Sequence, residues 1–182
     1  MPVKGCSEML FEEARENIRN AAERINLPTI EFFDFFPKFC YIISMTQCIF
    51  CQIVRGDSPA EILYHNDHAI AILDINPIHY GHALIIAKAH CKSFLEVPEE
   101  AHPDLMRAAR VVSQAIVDSF QPGGFNIFSN NGKAAGQTIF HFHFHITPRY
   151  ADDNIRFVLE LKKYKNNDVK EYADRLRERI GL

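Results

Sequence analysis

The sequence predicts an α+β fold, in which an antiparallel five-stranded sheet packs against one long helix and a C-terminal helix. Short apolar segments are separated by turn residues, two longer segments are amphipathic, and there is no regular alternation of strand and helix. The 182 residues suit one domain, and 15 Phe contribute to an ample core. We expect a main domain at residues 45–182, preceded by an N-terminal helical extension at residues 1–44.

The N-terminal extension has a pattern of its own. Residues 8–25 predict an amphipathic helix with one apolar stripe, formed by Phe11, Ala14, Ile18, Ala22 and Ile25. An aromatic-rich stretch at residues 30–43 follows without a regular period. Two interpretations stay open. The extension packs on the main domain or on a partner, or Met45 is the native start and the extension has no role in the chemistry.

Four strands can be assigned before the last one. The main domain opens with a compact segment at residues 48–54 and a turn at residues 55–59. Residues 61–64 and 69–74 alternate or run apolar around an Asn-Asp pair, which predicts a β-hairpin. Two further apolar segments, residues 82–87 and 125–129, predict a central third strand and a fourth strand.

Two helices complete the expected fold. Residues 98–120 begin with Pro and two Glu, as helices do, and end at a Pro-Gly-Gly sequence. The expected buried stripe of this helix is Leu105, Ala109, Val112, Ile116 and Phe120. Near the C-terminus, Asp168 and Glu171 fit a capping box. The stripe of this last helix is Val169, Tyr172, Leu176 and Ile180.

Three histidines alternate with apolar residues in the segment 140–146. A period of two predicts a strand with an imidazole face, His141, His143 and His145, and an apolar face, Phe140, Phe142, Phe144 and Ile146. We expect Pro148 and Arg149 to end a strand of about eight residues. Imidazoles are costly to bury unpaired and titrate near neutrality, so this face predicts a functional site more than a purely structural one.

A turn rich in Gly and Asn precedes this strand. Gly132 and Gly136 allow backbone N–H groups to approach a ligand, and the Asn130 amide and Thr138 hydroxyl can add donors. Such a concavity suits phosphate oxygens. The central imidazole, His143, is then the expected nucleophile toward phosphorus, and the next histidine, His145, can orient the phosphate or assist proton transfer to the leaving group.

A second set of residues predicts a metal site. Cys48 and Cys51, with His90 and His141, make a closed set of four zinc ligands, which is typical of a structural metal. A redox role for the two cysteines would need a thioredoxin-like order of elements, which the sequence does not supply. Reduced thiols without a metal remain the alternative.

The motif His141-Phe142-His143-Phe144-His145-Ile146-Thr147 resembles the signature of the histidine triad family of nucleotide hydrolases and transferases. The resemblance extends over segments 48–56, 73–77, 81–90 and 136–138, and it does not cover the N-terminal extension. It implies hydrolysis of a nucleoside 5′-phosphate derivative at the α-phosphorus through a nucleotidyl intermediate on the middle histidine. A mononucleotide such as AMP is then released.

The resemblance also implies roles for other residues. The phosphate contacts are Asn130, Gly136, Gln137, Thr138 and His145. The ribose acceptor is Asp74, and the base pocket is formed by Phe50, Ile53, Ile72 and Ile75. Zinc is bound by the four ligands named above. A homodimer is implied, with Leu105, Val112 and Phe128 as interface candidates.

Composition limits the partners. A net charge of −3 favours neither a nucleic acid polymer nor an anionic membrane. The sequence lacks a secretory leader and an apolar run of about 20 residues, so we expect a cytoplasmic location. Two other functions stay open: metal-dependent phosphoester hydrolysis, and a nucleotide-binding interaction module with little turnover. The leaving group, polyphosphate or amine, also stays open.

Overall fold

The computed structural model describes residues 48–156, 158–166 and 168–181, so the expected helix at residues 8–25 and the aromatic-rich stretch lie outside the described residues. Five strands form one antiparallel sheet in the order β1-β2-β3-β5-β4. The strands are β1 (Ile62–His65), β2 (Ala69–Leu73), β3 (Ala83–Ala87), β4 (Gly124–Phe128) and β5 (His143–Arg149). The expected α+β fold with a five-stranded antiparallel sheet is confirmed.

Three α-helices lie in the described residues: α1 (Ile49–Arg55), α2 (His102–Phe120) and α3 (Asp168–Ile180). The segment that opens the main domain is therefore helical. Gly56 ends α1 with a φ of 81°, and its N–H donates to the carbonyls of Gln52 and Ile53. Gln121 ends α2 in a left-handed conformation with a φ of 48°. None of the described helices is long and apolar enough to cross a membrane.

The sheet has a different core on each face because successive strand residues point to opposite sides. Helix α2 packs on one face, where small side chains allow a close approach: Ala69, Ala71, Ala83 and Ala87. The opposite face carries Phe50, Ile53, Ile70, Ile72, Leu84 and Ile86. The histidines of β5, His143 and His145, lie on the face opposite α2, because they pair with Ile86 and Leu84 of that face.

Two apolar residues differ from expectation. The stripe of α2 is buried at four of its five positions, and Phe120 at the helix end is 52% exposed. In the predicted strand, Phe142 and Ile146 are buried, whereas Phe140 is 47% exposed. Phe120 lies at the end of α2 with its ring against Gly81, and Phe140 precedes the first residue of β5.

Strand β5 also begins and ends later than expected. His141 and Phe142 precede it, and the N–H of Phe142 bonds to the Cys91 carbonyl. Pro148 and Arg149 belong to the strand and oppose Phe125 and Gly124 of β4. The ladder with β3 stops at Ile146, so the proline lies where β5 has a partner on only one side and its missing N–H breaks no ladder.

The contacts divide the chain after Ala151, and the second unit is Asp152–Leu182. It contains α3, where Asp174 pairs with Lys170 and Arg177. No described side chain of α3 is buried, and its apolar stripe is 55–69% exposed: Val169, Tyr172, Leu176 and Ile180. The expected C-terminal helix is present, and one domain over residues 45–182 stays a prediction.

Candidate active site and metal centre

His143 is held with one ring nitrogen occupied and the other available. The ring is 7% exposed, and its Nδ1 lies 2.7 Å from the carbonyl oxygen of His141. A carbonyl can only accept, so Nδ1 carries the proton and Nε2 keeps its lone pair. Burial lowers the pKa of His143, against smaller raising effects of the His141 carbonyl and Asp74, so the ring is neutral near pH 7.

His145 lies between two rings on the same face of the sheet. Phe128 of β4 stacks on it with centroids 4.7 Å apart, and the ring of His82, which directly precedes β3, meets its edge with centroids 5.2 Å apart. The His82 Nε2 atom is 3.0 Å from Nδ1 of His145. Burial, followed by the neighbouring imidazoles, lowers the pKa of His145 to about 4. This ring is therefore neutral as well.

His82 is a site residue whose role the sequence left undecided. It directly precedes β3 and is 2% exposed. It shares its face with Leu84 and Ile86, which oppose His145 and His143 on β5. Alternation along β3 could have assigned this histidine to the site once the pairing with β5 was known.

Asp74 contacts both a turn and His82. Its Oδ1 accepts the N–H of Asn76 at 2.8 Å, and its Oδ2 lies 3.3 Å from Nδ1 of His82. The side chain is 19% exposed, so a ligand can still reach it. The backbone N–H of Asn76 holds the Asp74 carboxylate in place, and this position is compatible with the role of ribose acceptor that the resemblance implies.

The four expected metal ligands form one cluster. Cys51 Sγ lies 3.2 Å from His90 Nδ1 and 3.5 Å from His141 Nδ1, and Cys48 Sγ lies 3.4 Å from His141 Nδ1. The two histidine nitrogens are 3.3 Å apart. Zn–S bonds of about 2.3 Å and Zn–N bonds of about 2.1 Å place tetrahedral ligand atoms about 3.3–3.8 Å apart. The spacing of the cluster is close to that of a zinc site.

The chemistry of the donors also fits a metal. The Nε2 of His141 donates to the Ala87 carbonyl at 2.6 Å, which directs the lone pair of Nδ1 into the cluster. Burial and then the nearby Cys48 raise the pKa of Cys51 to about 12, so a thiolate there needs a cation. Zn²⁺ supplies that charge, and the donor set fits it.

The turn before β5 is fixed by Gln137. This side chain accepts the N–H of Gly132 at 2.8 Å and donates to the Lys92 carbonyl at 2.7 Å, while 5% exposed. Gly132 and Gly136 both have φ near 85°, a conformation that favours glycine. A side chain at Gly136 would lie 3.7 Å from the Asn130 amide. Asn130 therefore lies against the turn, and Thr138 next to it is exposed.

The expected base pocket is brought together in part. Phe50, Ile53 and Ile72 are buried in the core of the histidine face, and the Phe50 ring lies 5.0 Å from that of His143. Ile75 lies outside this cluster and is 89% exposed.

A family model described as HIT domain matches residues 55–152. The "Protein hit" of Bacillus subtilis is 37% identical over 138 residues, which cover 74% of this chain and 95% of that protein. A crystal structure of a HIT family member from the same organism superposes with a TM-score of 0.70 at 36% identity, over 73% of this chain and 96% of that one.

Two named relatives carry enzyme activities. An adenylylsulfatase of Arabidopsis thaliana, HINT3, is 44% identical over 107 residues, or 59% of this chain and 54% of that protein. An adenosine 5′-monophosphoramidase of Schizosaccharomyces pombe, hnt1, is 40% identical over 103 residues, or 57% and 74%. A zinc-bound histidine triad family protein of Mycobacterium smegmatis superposes with a TM-score of 0.58 at 35% identity, over 65% and 86% of the two chains.

Proposed function

Because the chain belongs to the HIT domain family, we propose that it is a hydrolase of nucleoside 5′-phosphate derivatives that cleaves at the α-phosphorus. One observation carries the proposal. The Nδ1–H of His143 donates to the His141 carbonyl at 2.7 Å, so the neutral ring has its free lone pair on Nε2. An imidazole with a fixed tautomer is a competent nucleophile.

The proposed reaction is a double displacement. Nε2 of His143 attacks the α-phosphorus, the bond from phosphorus to the leaving group breaks, and a nucleotidyl–histidine forms. The ring is then positively charged, and the carbonyl of His141 that accepts its Nδ1–H stabilises this charge. The leaving group takes one proton with the assistance of His145. Water then attacks phosphorus and gives up one proton, which replaces it; the P–N bond breaks, and a mononucleotide such as AMP leaves while His143 is restored.

The remaining site residues bind substrate in this proposal. Backbone groups of the turn held by Gln137, with Asn130, Gly136, Thr138 and His145, contact the phosphate. Asp74 accepts hydrogen bonds from the ribose. The base lies against Phe50, Ile53 and Ile72, and exposed Ile75 closes on it from outside the core.

The leaving group is proposed from the relatives. One relative is named as an adenylylsulfatase and another as an adenosine 5′-monophosphoramidase, so each name describes an adenosine 5′-phosphoryl compound. We infer that this chain accepts adenosine 5′-phosphates with a small leaving group, such as an amine or a sulfate, and dinucleoside polyphosphates form the second class. A panel of AMP amidates, adenylyl sulfate and dinucleoside polyphosphates ranks them by kcat/KM.

The nucleophile is tested by trapping the adduct. Fast quench of the parent protein with an AMP amidate, followed by mass spectrometry, should give a mass increase of one adenylyl group on the peptide containing His143. His143→Ala should abolish the adduct and lower kcat by about 10³-fold or more. His65→Ala, on exposed strand β1, is the matched control and should keep both. If the parent protein forms no adduct and the His143→Ala variant is still active, this mechanism is eliminated.

Metal-dependent hydrolysis is the competing mechanism, and one observation favours it. Asp74, His82 and His145 present ligand atoms within 4.8 Å of one another, a set that could hold an ion. An ion at this set would activate water as the nucleophile. Chelation would then stop turnover while the fold persists and no adduct forms. Tight AMP binding without turnover on the panel would instead support an interaction module.

We propose that Cys48, Cys51, His90 and His141 hold a structural zinc ion. When bound, the ion links α1 to the segments that carry the two histidines and neutralises the thiolates. Thiolate ligands need reduced cysteines, so we expect the protein in a reducing compartment such as the cytoplasm.

We further propose a homodimer through the edge strand β4 and helix α2. Exposed Phe125, Ile127 and Met106 line a groove of about 290 Å³ between these elements. An unpaired apolar strand edge favours association. Two of the expected interface residues, Leu105 and Val112, are 1% and 3% exposed inside the chain's own core, so they cannot form this surface. Phe128 lies on the other face against His145.

A further inference from the structure

We propose that His82 is a positioning residue that holds His145 with its proton on Nε2, directed by the backbone amide of Ile78. The inference rests on two consecutive hydrogen bonds, and the first begins at the Ile78 backbone N–H, which can only donate. It deepens the proposed function, because it gives His145 a donor atom for the phosphate or the leaving group.

The first step is the contact between Ile78 and His82. The Ile78 amide nitrogen lies 3.2 Å from His82 Nδ1, with its hydrogen directed at the ring nitrogen. A backbone N–H can only donate, so Nδ1 must accept. Burial lowers the pKa of His82 more than Asp74 raises it, so the ring is neutral and has one proton. That proton is therefore on Nε2.

The second step carries this assignment to β5. His82 Nε2 lies 3.0 Å from His145 Nδ1. Because Nε2 has the proton, it donates and Nδ1 of His145 accepts. The neutral His145 ring then has its own proton on Nε2. The Ile78 N–H therefore determines the donor and acceptor atoms of both imidazoles, and it places the proton of His145 on Nε2.

The packing around His145 keeps this arrangement in place. Phe128 stacks on the face of the ring with an interplanar angle of 11°, and the His82 ring meets its edge through the hydrogen-bonded nitrogens, with a tilt of 28°. His82 is 2% exposed, which excludes water as a competing partner for its ring. A ring that is stacked on Phe128 and hydrogen-bonded at Nδ1 presents Nε2–H as its donor.

The competing arrangement reverses every step. Asp74 Oδ2 lies 3.3 Å from His82 Nδ1 and could accept a proton there. The Ile78 amide would then lose its acceptor, and His82 Nε2 would accept from His145 Nδ1–H. That arrangement loses the Ile78 hydrogen bond, whereas in the first arrangement Asp74 still accepts the N–H of Asn76. His145 would then present a lone pair rather than a proton.

Nitrogen NMR of the parent protein distinguishes the two arrangements without any measurement of activity. Long-range proton–nitrogen spectra of ¹⁵N-histidine-labelled protein assign the tautomer of His145. We expect an Nε2–H tautomer for both His145 and His82, and an Nδ1–H tautomer for His143. An Nδ1–H tautomer at His145 would overturn the inference whether or not the protein turns over AMP amidates.

Two variants at His82 test the role in turnover. His82→Leu removes the donor and should give His145 mixed tautomers, with kcat lowered about 10–100-fold and KM changed little, since general acid catalysis supplies about 10²–10⁴-fold. His82→Gln keeps an N–H for His145 and should recover most of kcat and the Nε2–H signal. His65→Gln is the control and should match the parent protein.

Each result has one meaning. If His82→Leu does not fold, the test is the comparison of His82→Gln with the parent protein. Loss of the Nε2–H tautomer of His145 in a folded His82→Gln protein would contradict the inference. A second zinc equivalent bound by the parent and lost in His82→Gln would also contradict it, because an ion would replace the hydrogen bond. Correct tautomers with no adduct on His143 would instead count against the proposed function alone.

Discussion

Partners with a single hydrogen-bonding role fix the protons at the candidate site. The His141 carbonyl can only accept, which puts the proton of His143 on Nδ1. The Ala87 carbonyl does the same for Nε2 of His141, so that Nδ1 faces the cysteines. His141 and His143 therefore present opposite ring nitrogens, Nδ1 of His141 to the two cysteines and Nε2 of His143 to the proposed substrate position.

The pH dependence of turnover follows from the buried nucleophile. Burial lowers the pKa of His143 below its ordinary value of 6.5. The neutral, nucleophilic form therefore persists as pH falls through 6.5, and we expect kcat/KM to stay level from pH 8 to below that value before it declines. Initial rates on an AMP amidate across this range check it. A decline centred at or above pH 6.5 would contradict the shift.

The histidines show which parts of the candidate site could be predicted from the sequence. Alternation identified His143 and His145 as neighbours on one strand face, because a period of two is a property of the backbone. It did not identify the tautomers, which depend on carbonyls and amides that arrive through tertiary pairing. It left His82 undecided for the same reason, since its partner is 63 residues away in the chain.

At the scale of elements, the loop between β2 and β3 is where backbone conformation matters most. Gly81 has a φ of 86°, and a Cβ there would lie 3.0 Å from Phe120 at the end of α2. Gly56, at the end of α1, has a φ of 81° with open space around it. The two glycines share a left-handed backbone and differ in crowding.

We therefore expect Gly81→Ala to cost more stability than Gly56→Ala. The left-handed conformation alone costs about 1–2 kcal/mol in each, and crowding against the Phe120 ring adds to it only at Gly81. Urea unfolding measures both. The double variant Gly81→Ala/Phe120→Ala should recover the steric part, and equal losses for the two single variants would show that the ring moves aside freely.

Element boundaries were predicted less well than the elements. The sequence places five strands and the two longer helices correctly. The apolar periods of the strands and of α2 are set by the core that each one faces, whereas α3 keeps its helical period on an exposed stripe. Proline 148 was expected to end β5, since a proline cannot serve in a ladder with partners on both sides. The structure pairs it with β4 alone, a local condition that depends on where β3 stops.

At the scale of the whole molecule, the metal cluster joins parts of the chain that are far apart in sequence. Cys48 and His141 are 93 positions apart, and His90 lies on the segment after β3. An ion that binds only when these segments are together, as proposed for zinc, stabilises the folded state with the logarithm of its concentration over Kd, about 2.7 kcal/mol at a hundredfold excess over Kd.

We expect chelation of zinc to lower Tm by about 5–11 °C, because each of these roughly 2.7 kcal/mol shifts the midpoint of a chain of this size by about 2–4 °C. Calorimetry with and without a chelator checks this. Cys51→Ser should reproduce the shift, and Cys91→Ser, a buried thiol outside the cluster, should keep zinc binding. An unchanged Tm on chelation of a metal-loaded sample would contradict a structural zinc.

Association is the second property of the whole molecule. We expect Ile127→Lys to convert the proposed dimer to a monomer, since it places a charge on the exposed apolar edge of β4. Light scattering coupled to size exclusion measures the mass. Val169→Lys, on exposed α3, is the control and should leave the mass unchanged, and a parent protein that is already monomeric would contradict the proposal.

The double use of His141 restricts how this protein can be redesigned. Its ring faces the cysteines of the proposed zinc site, and its backbone carbonyl accepts the Nδ1–H of the proposed nucleophile, so a substitution that shifts the backbone there would disturb both. His90 contributes a ring nitrogen to the cluster from another segment and leaves that carbonyl untouched. To shift the metal preference of the proposed site toward softer metals, His90→Cys is therefore the better first substitution, with His141 kept unchanged.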